Sequence, residues 1–127
     1  MLVPDITQLI FDRLDFLSQV NLRLVSKKFA TYPITNLFDN IIPNKYVLTD
    51  KILKSYRSIT KLDAGSNKKI TDVSHLTNLR ILNACNLGIN ECGIDNNGLR
   101  CLRNLIELDA GHNSKITNVN HLINLRI

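Results

Sequence analysis

The stretch ITKLDAGSNKKITDVSHLTNLRI at 59–81 returns as LIELDAGHNSKITNVNHLINLRI at 105–127, with 15 identities in 23 positions at an offset of 46. A sentence written twice demands one local structure built twice, so this feature restricts the fold more than any other. The same offset aligns VLTDKILKSYRS (47–58) with GIDNNGLRCLRN (93–104), pairing Leu48 with Ile94, Leu53 with Leu99, Tyr56 with Leu102 and Arg57 with Arg103. The unit is 46 residues and begins near Val47.

A shorter rhythm lies inside it. Ile59, Leu62 and Ala64, then Leu79, Leu82 and Ala84, then Leu105, Leu108 and Ala110 spell L-x-x-L-x-A three times, at intervals of 20, 26 and again 20 residues to Leu125. Each short segment is expected as a strand with alternate side chains turned inward. One such segment cannot bury its own apolar face, and a stacked neighbour completes the core. Asn67 and Asn113 follow where the chain turns away and an amide can satisfy backbone groups. In the return segments Ile70, Val73, Leu76 and Leu79 recur every third residue, as do Ile116, Val119, Leu122 and Leu125, which suits a tight arch of partly 3-10 character. Asp95–Asn104 reads as a short capped helix with Leu99 and Leu102 inward, and Thr49–Ser58 as its counterpart.

This pattern resembles the leucine-rich repeat signature L-x-x-L-x-L-x-x-N. KITDVSHLTNLRIL is similar to the short bacterial and phosphatase-regulator style of repeat, and CGIDNNGLRCLRNLIEL to the longer style of ubiquitin-ligase receptors. At Asn86 and Leu87 the Asn stands one place early. By the 46-residue register Ile127 corresponds to Ile81, 11 residues short of the equivalent of Cys92, so a truncated array, or a cap supplied by a partner, is expected.

Residues 3–29 have no repeat character. Ile6, Leu9, Ile10 and Leu14 share one helical face after Pro4. Ser18 is placed to cap a second helix, on which Leu17, Val20 and Leu24 form one stripe and Leu22, Val25 and Phe29 another. A helix apolar on two faces exceeds what so short a segment can bury alone. Capping the repeat array would use one face; a partner could use the other. The order Pro, acidic-Ile, Ile-Phe, Leu-Asp, then NLRLVSKKF resembles an F-box, with Val3 and Pro4 in place of its Leu-Pro pair and no Trp near its end. That resemblance implies a three-helix module that binds a Skp-type adaptor, and through it a cullin ubiquitin ligase, by way of Val3, Pro4, Ile6, Ile10, Leu14, Leu22, Val25 and Phe29. In this family arrangement the repeats choose the protein substrate.

The expected fold is therefore α/β, with an F-box-like helical module at 1–40 and leucine-rich repeats at 41–127. The repeats are expected to form a short right-handed solenoid, with parallel strands on the concave face and short helices or 3-10 arches on the convex face. If the strands line the concave face, their outward positions form partner-binding columns: Lys61, Ile81 and Glu107; Asp63, Asn83 and Asp109; Ser66, Asn86 and His112. ATYPITNLFDNIIPNKY (30–46) is too apolar for a free linker and is expected to dock the module rigidly on the array.

Other function classes find little support. No nucleophile elbow, phosphate loop, dinucleotide fingerprint or metal-protease motif occurs, so neither an enzyme nor a cofactor is expected. His75 and His121 are one unit apart and read as repeat positions, and the Asp63, Asn83, Asp109 column as solvated strand positions, not metal ligands. Cys85, Cys92 and Cys101 suit neither a disulfide framework nor a zinc knuckle and read as buried thiols. The formal charge of +5 lies wholly in the repeat half, but as single Lys and Arg residues without a basic run, which disfavours nucleic acid. No secretory signal or spanning segment is evident, so a cytoplasmic or nuclear location is expected. Abundant Asn, Ile and Lys fit an AT-rich genome, such as that of a protist or a large DNA virus; for a viral chain the ligase would be the host's. The rival reading is a leucine-rich repeat scaffold whose N-terminal helices only cap it.

Overall fold

A computed structural model describes residues 6–25, 33–38, 48–88 and 90–126. Among them the chain runs as α1 (Ile6–Asp12), α2 (Phe16–Val25), β1 (Asn36–Leu37), α3 (Asp50–Leu53), β2 (Lys61–Asp63), β3 (Ile81–Asn83), a 3-10 turn (Asn97–Leu99) and β4 (Glu107–Asp109). The strands form one parallel sheet in the order β1-β2-β3-β4. Each strand pairs with the next in sequence, so the chain advances by one rung per return.

The register follows the repeat. Lys61 lies beside Ile81 and Ile81 beside Glu107; Leu62, Leu82 and Leu108 line up in the same way. β1 adds a rung that the L-x-x-L-x-A rhythm did not reveal, with Leu37 beside Leu62. Only Ile34 and Leu37, both buried, hint at it in the sequence. The sheet thus reaches back ahead of residue 41, into the stretch assigned to the helical module.

The core is the stack of inward side chains: Leu62, Ala64, Ile70, Val73, Leu76 and Leu79 from one return meet Leu82, Ala84, Ile94, Leu99, Leu102 and Leu105 from the next. Short returns hold together by three-residue hydrogen bonds, such as Leu76 N–H to Val73 at 2.9 Å and Leu79 N–H to Leu76 at 2.9 Å, the arch geometry that the every-third-residue spacing predicts. α3 is a single helical turn capped by the Thr49 hydroxyl, which accepts from Ile52 N–H at 3.3 Å. Its counterpart tightens to the 3-10 turn. At Gly98, where the first copy has Ile52, a Cβ would sit 2.2 Å from the Thr71 carbonyl oxygen, so here the backbones touch.

In the helical part the inward residues differ from the expected stripes. Among the described side chains Phe11, Phe16 and Gln19 are buried, with Leu14 and Val20 packed against the same core. Asp15, not Ser18, caps α2: its carboxylate accepts from Ser18 N–H at 2.8 Å and from the Ser18 hydroxyl at 3.1 Å. The amide bond from Ser18 holds the Asp15 carboxyl below the usual carboxylate range. The short Asp side chain reaches back to the first free N–H groups, and Ser18 lies one turn inside the helix. The third helix of the expected module, and most of the 30–46 connection, fall outside the described residues.

Candidate functional site

Two surfaces merit description, one on each part of the chain. On the helical part, Phe16 meets Tyr56 edge to face, with ring centroids 5.6 Å apart and planes at 79°, and the Arg23 guanidinium lies 6.0 Å from the centre of the Tyr56 ring. These contacts, with Phe11 fully buried, fix α1 and α2 against the first return. Three large apolar side chains of the same helices stay uncovered: Leu9 is 47% exposed, Ile10 57% and Leu17 55%. Leaving three large apolar side chains in water is unfavourable by about 1.5–3 kcal/mol each relative to full burial.

Of the expected adaptor-binding residues, Ile10 is one of these three, whereas Leu14 is half-buried against the chain's own core. Ile6 lies in α1, and Leu22 and Val25 in α2, but their side chains are outside the described set, as are Val3, Pro4 and Phe29 altogether. Leu9 and Leu17, which were not among the expected adaptor-binding residues, are exposed as Ile10 is.

On the sheet, the outward positions of β3 and β4 line a groove of about 340 Å³ that includes Ile81, Asn83, Glu107 and Asp109, with Phe38 and Arg126 at its edges. Lys61 and Asp63 continue the columns on β2, both half-buried. The aspartate and asparagine column is not simply solvated. Asp63, Asn83 and Asp109 each accept the N–H two residues on, at 3.0, 3.0 and 2.9 Å, and Asn83 also donates to Asp63 at 3.1 Å. These are Asx turns that end the strands.

The third column differs most from expectation. Ser66 is buried to 4% exposure, and its hydroxyl donates to the Leu87 carbonyl and accepts the Leu87 N–H at 2.7 Å. Asn86 accepts from Cys92 N–H at 2.6 Å and donates to the His112 carbonyl at 3.1 Å. Their polar atoms bind the chain to itself because the early Asn forces the connection after β3 to close by side-chain bonds. Only His112 of that column is exposed, in the left-handed region at φ 57°.

Buried asparagines knit the returns together. Asn67 donates to Leu48 O at 3.1 Å; Asn113 donates to Ile94 O at 3.1 Å and Ala84 O at 2.8 Å. His75 and His121 contact the carbonyls of Leu53 and Leu99, each at 3.1 Å, as repeat positions should. Asp72 shows how such contacts set charge. Partial burial works to raise its pKa, but hydrogen bonds from the Ser74 hydroxyl and N–H, with Arg100 and His75 nearby, carry it below the ordinary value. Cys85 and Cys92 are buried thiols as expected, whereas Cys101 is exposed at φ 71°, because the chain turns outward after Leu99.

Among the described residues no cluster of His, Cys, Asp and Glu is arranged to hold a metal ion, and no helix is long and apolar enough to cross a membrane. No curated protein and no solved structure matches the chain. A family model does: residues 1–32 match the F-box domain, which spans α1 and α2 and their exposed Leu9, Ile10 and Leu17. F-box domains bind Skp-type adaptors within cullin ubiquitin ligases, and the first 32 residues of this chain are similar to that domain.

Proposed function

We propose that the chain is a substrate-recognition subunit of a Skp/cullin/F-box ubiquitin ligase, with the repeat half as a short right-handed leucine-rich repeat solenoid that meets the substrate. The observation that carries the reading is the exposure of Leu9, Ile10 and Leu17 on α1 and α2. A structural cap would account for Phe11, Phe16 and Gln19, which are buried, but it leaves those three unexplained. An adaptor surface accounts for both faces at once. Recurrence of L-x-x-L-x-A on successive parallel strands, and the buried Asn67 and Asn113 tying each return to the last, support the repeat reading.

The test is a titration of the chain against a eukaryotic Skp adaptor, alongside an Ile10→Glu/Leu17→Glu variant. Both side chains are exposed, so the variant should keep its helical circular dichroism and lose binding by about tenfold or more, each buried apolar contact being worth about that factor. Undiminished binding by the folded variant would place the adaptor elsewhere. No binding by the parent would leave the scaffold with a helical cap.

A further inference from the structure

A second groove, adjoining the first at Arg126, opens at the edge where the strands begin. It has a volume of about 330 Å³ and is lined by Arg80, Asn104, Ile106, Asn124 and Arg126. A ladder of backbone bonds builds it. Thr60 N–H donates to Thr35 at 2.7 Å, Arg80 N–H to Thr60 at 2.8 Å, Ile106 N–H to Arg80 at 2.8 Å and Arg126 N–H to Ile106 at 2.9 Å. Arg80 and Arg126 therefore stand on either side of Ile106, two rungs or about 10 Å apart by strand spacing.

The groove's surroundings are fixed while its charges are free. Asn104 donates to the Thr77 carbonyl at 2.9 Å and Asn124 to the Arg103 carbonyl at 2.6 Å, which locks both amides to the preceding return. Among the described residues neither the Arg80 nor the Arg126 guanidinium has an ion-pair or hydrogen-bond partner, although Arg100 pairs with Asp72 at 3.3 Å and Lys115 with Glu91 at 3.2 Å. Two unpaired guanidinium forks beside a preorganised polar floor match carboxylates, which each fork grips with two parallel bonds. In an extended peptide, side chains on one face recur about every 7 Å, within reach of both arginines through their flexible stems.

We infer that this groove binds an acidic, extended segment of a protein, with carboxylates on Arg80 and Arg126. The inference rests on the reading of the repeat half as the substrate-binding half and supplies the chemistry of that substrate. Nucleic acid fits less well. Its affinity needs many phosphate contacts, and a backbone continuing past Arg126 onto the adjoining sheet groove would meet Glu107 and Asp109.

The experiment is fluorescence anisotropy of the full chain with a short labelled peptide carrying glutamate at alternate positions. Its glutamine counterpart and a single-stranded RNA of equal charge serve as comparison ligands. Arg80→Glu/Arg126→Glu should weaken glutamate-peptide binding by about tenfold or more, as loss of charge-assisted bonds implies. Lys68→Glu/Lys69→Glu makes the same change of charge on two exposed residues after β2, at the far end of the strands, and should alter it by less than about twofold at moderate salt. Failure of the parent to bind, equal loss in the two variants, or tighter binding of the RNA than of the peptide would each overturn the inference. Skp-adaptor titration of the same proteins separates the two readings: Arg80→Glu/Arg126→Glu should retain adaptor binding, and a parent that binds peptide but no adaptor would sink only the ligase role.

Discussion

Residues 59–81 and 105–126 have nearly the same sequence and very different surroundings. Val73 is fully buried, whereas Val119, its counterpart, is 37% exposed. Ile70, Leu62 and Leu79 are fully buried; Ile116, Leu108 and Leu125 are only half covered. Both copies keep the same bonds: Asp50 accepts Thr71 N–H at 2.8 Å and Asn96 accepts Thr117 N–H at 2.9 Å. The local fold of a copy is thus written in its own residues, but its burial is conferred by the return stacked on it.

Stability measurements test that contrast. The largest expected effect is at the leucine column: Leu62→Ala should cost about 3 kcal/mol in urea denaturation, and Leu108→Ala roughly half as much, because a half-exposed site gives up less transfer energy and leaves no closed cavity. Equal costs would mean that the second copy is as well packed as the first. Next comes Gly98→Ala, expected to cost about 2 kcal/mol because its Cβ would press on the Thr71 carbonyl oxygen and the backbones must part. A neutral result would show that the two returns slide apart freely.

The smallest effect tests the turn after each strand. Ser66 and His112 are counterparts, both left-handed, at φ 54° and 57°. His112→Gly should stabilise by up to about 1 kcal/mol by relieving that backbone. Ser66→Gly should bring no gain, since it also removes the hydroxyl that bonds Leu87 on both its N–H and its carbonyl. Equal gains would deny the Ser66 hydroxyl any role.

Much of this architecture was legible because a repeated sentence constrains strand register directly: Leu62, Leu82 and Leu108 could be aligned by counting, and they stand side by side. β1 was not legible. Its only marks are Ile34 and Leu37, and the residues after them break the L-x-x-L-x-A pattern. The asparagines were underread. Only Asn67 and Asn113 were expected at turns, yet Asn83 and Asn118, like them, accept the N–H two residues on and shape turns. On the N-terminal helices periodicity identified apolar faces but not which one faces inward: Phe11 is buried, whereas Leu9, two residues back and on the opposite face of α1, is exposed, and Phe16 packs on Tyr56. Arg80 and Arg126 looked like isolated charges, and only the backbone ladder brings them to one groove.

That ladder has a consequence for how such a chain can change. Thr60, Arg80, Ile106 and Arg126 are a hydroxyl, two cations and an aliphatic residue at equivalent rungs, all held by main-chain atoms. Identity at these places is decoupled from folding, as type is from the press that holds it. A lineage could rewrite what the edge recognises, one rung at a time, while every copy still stacks on the last.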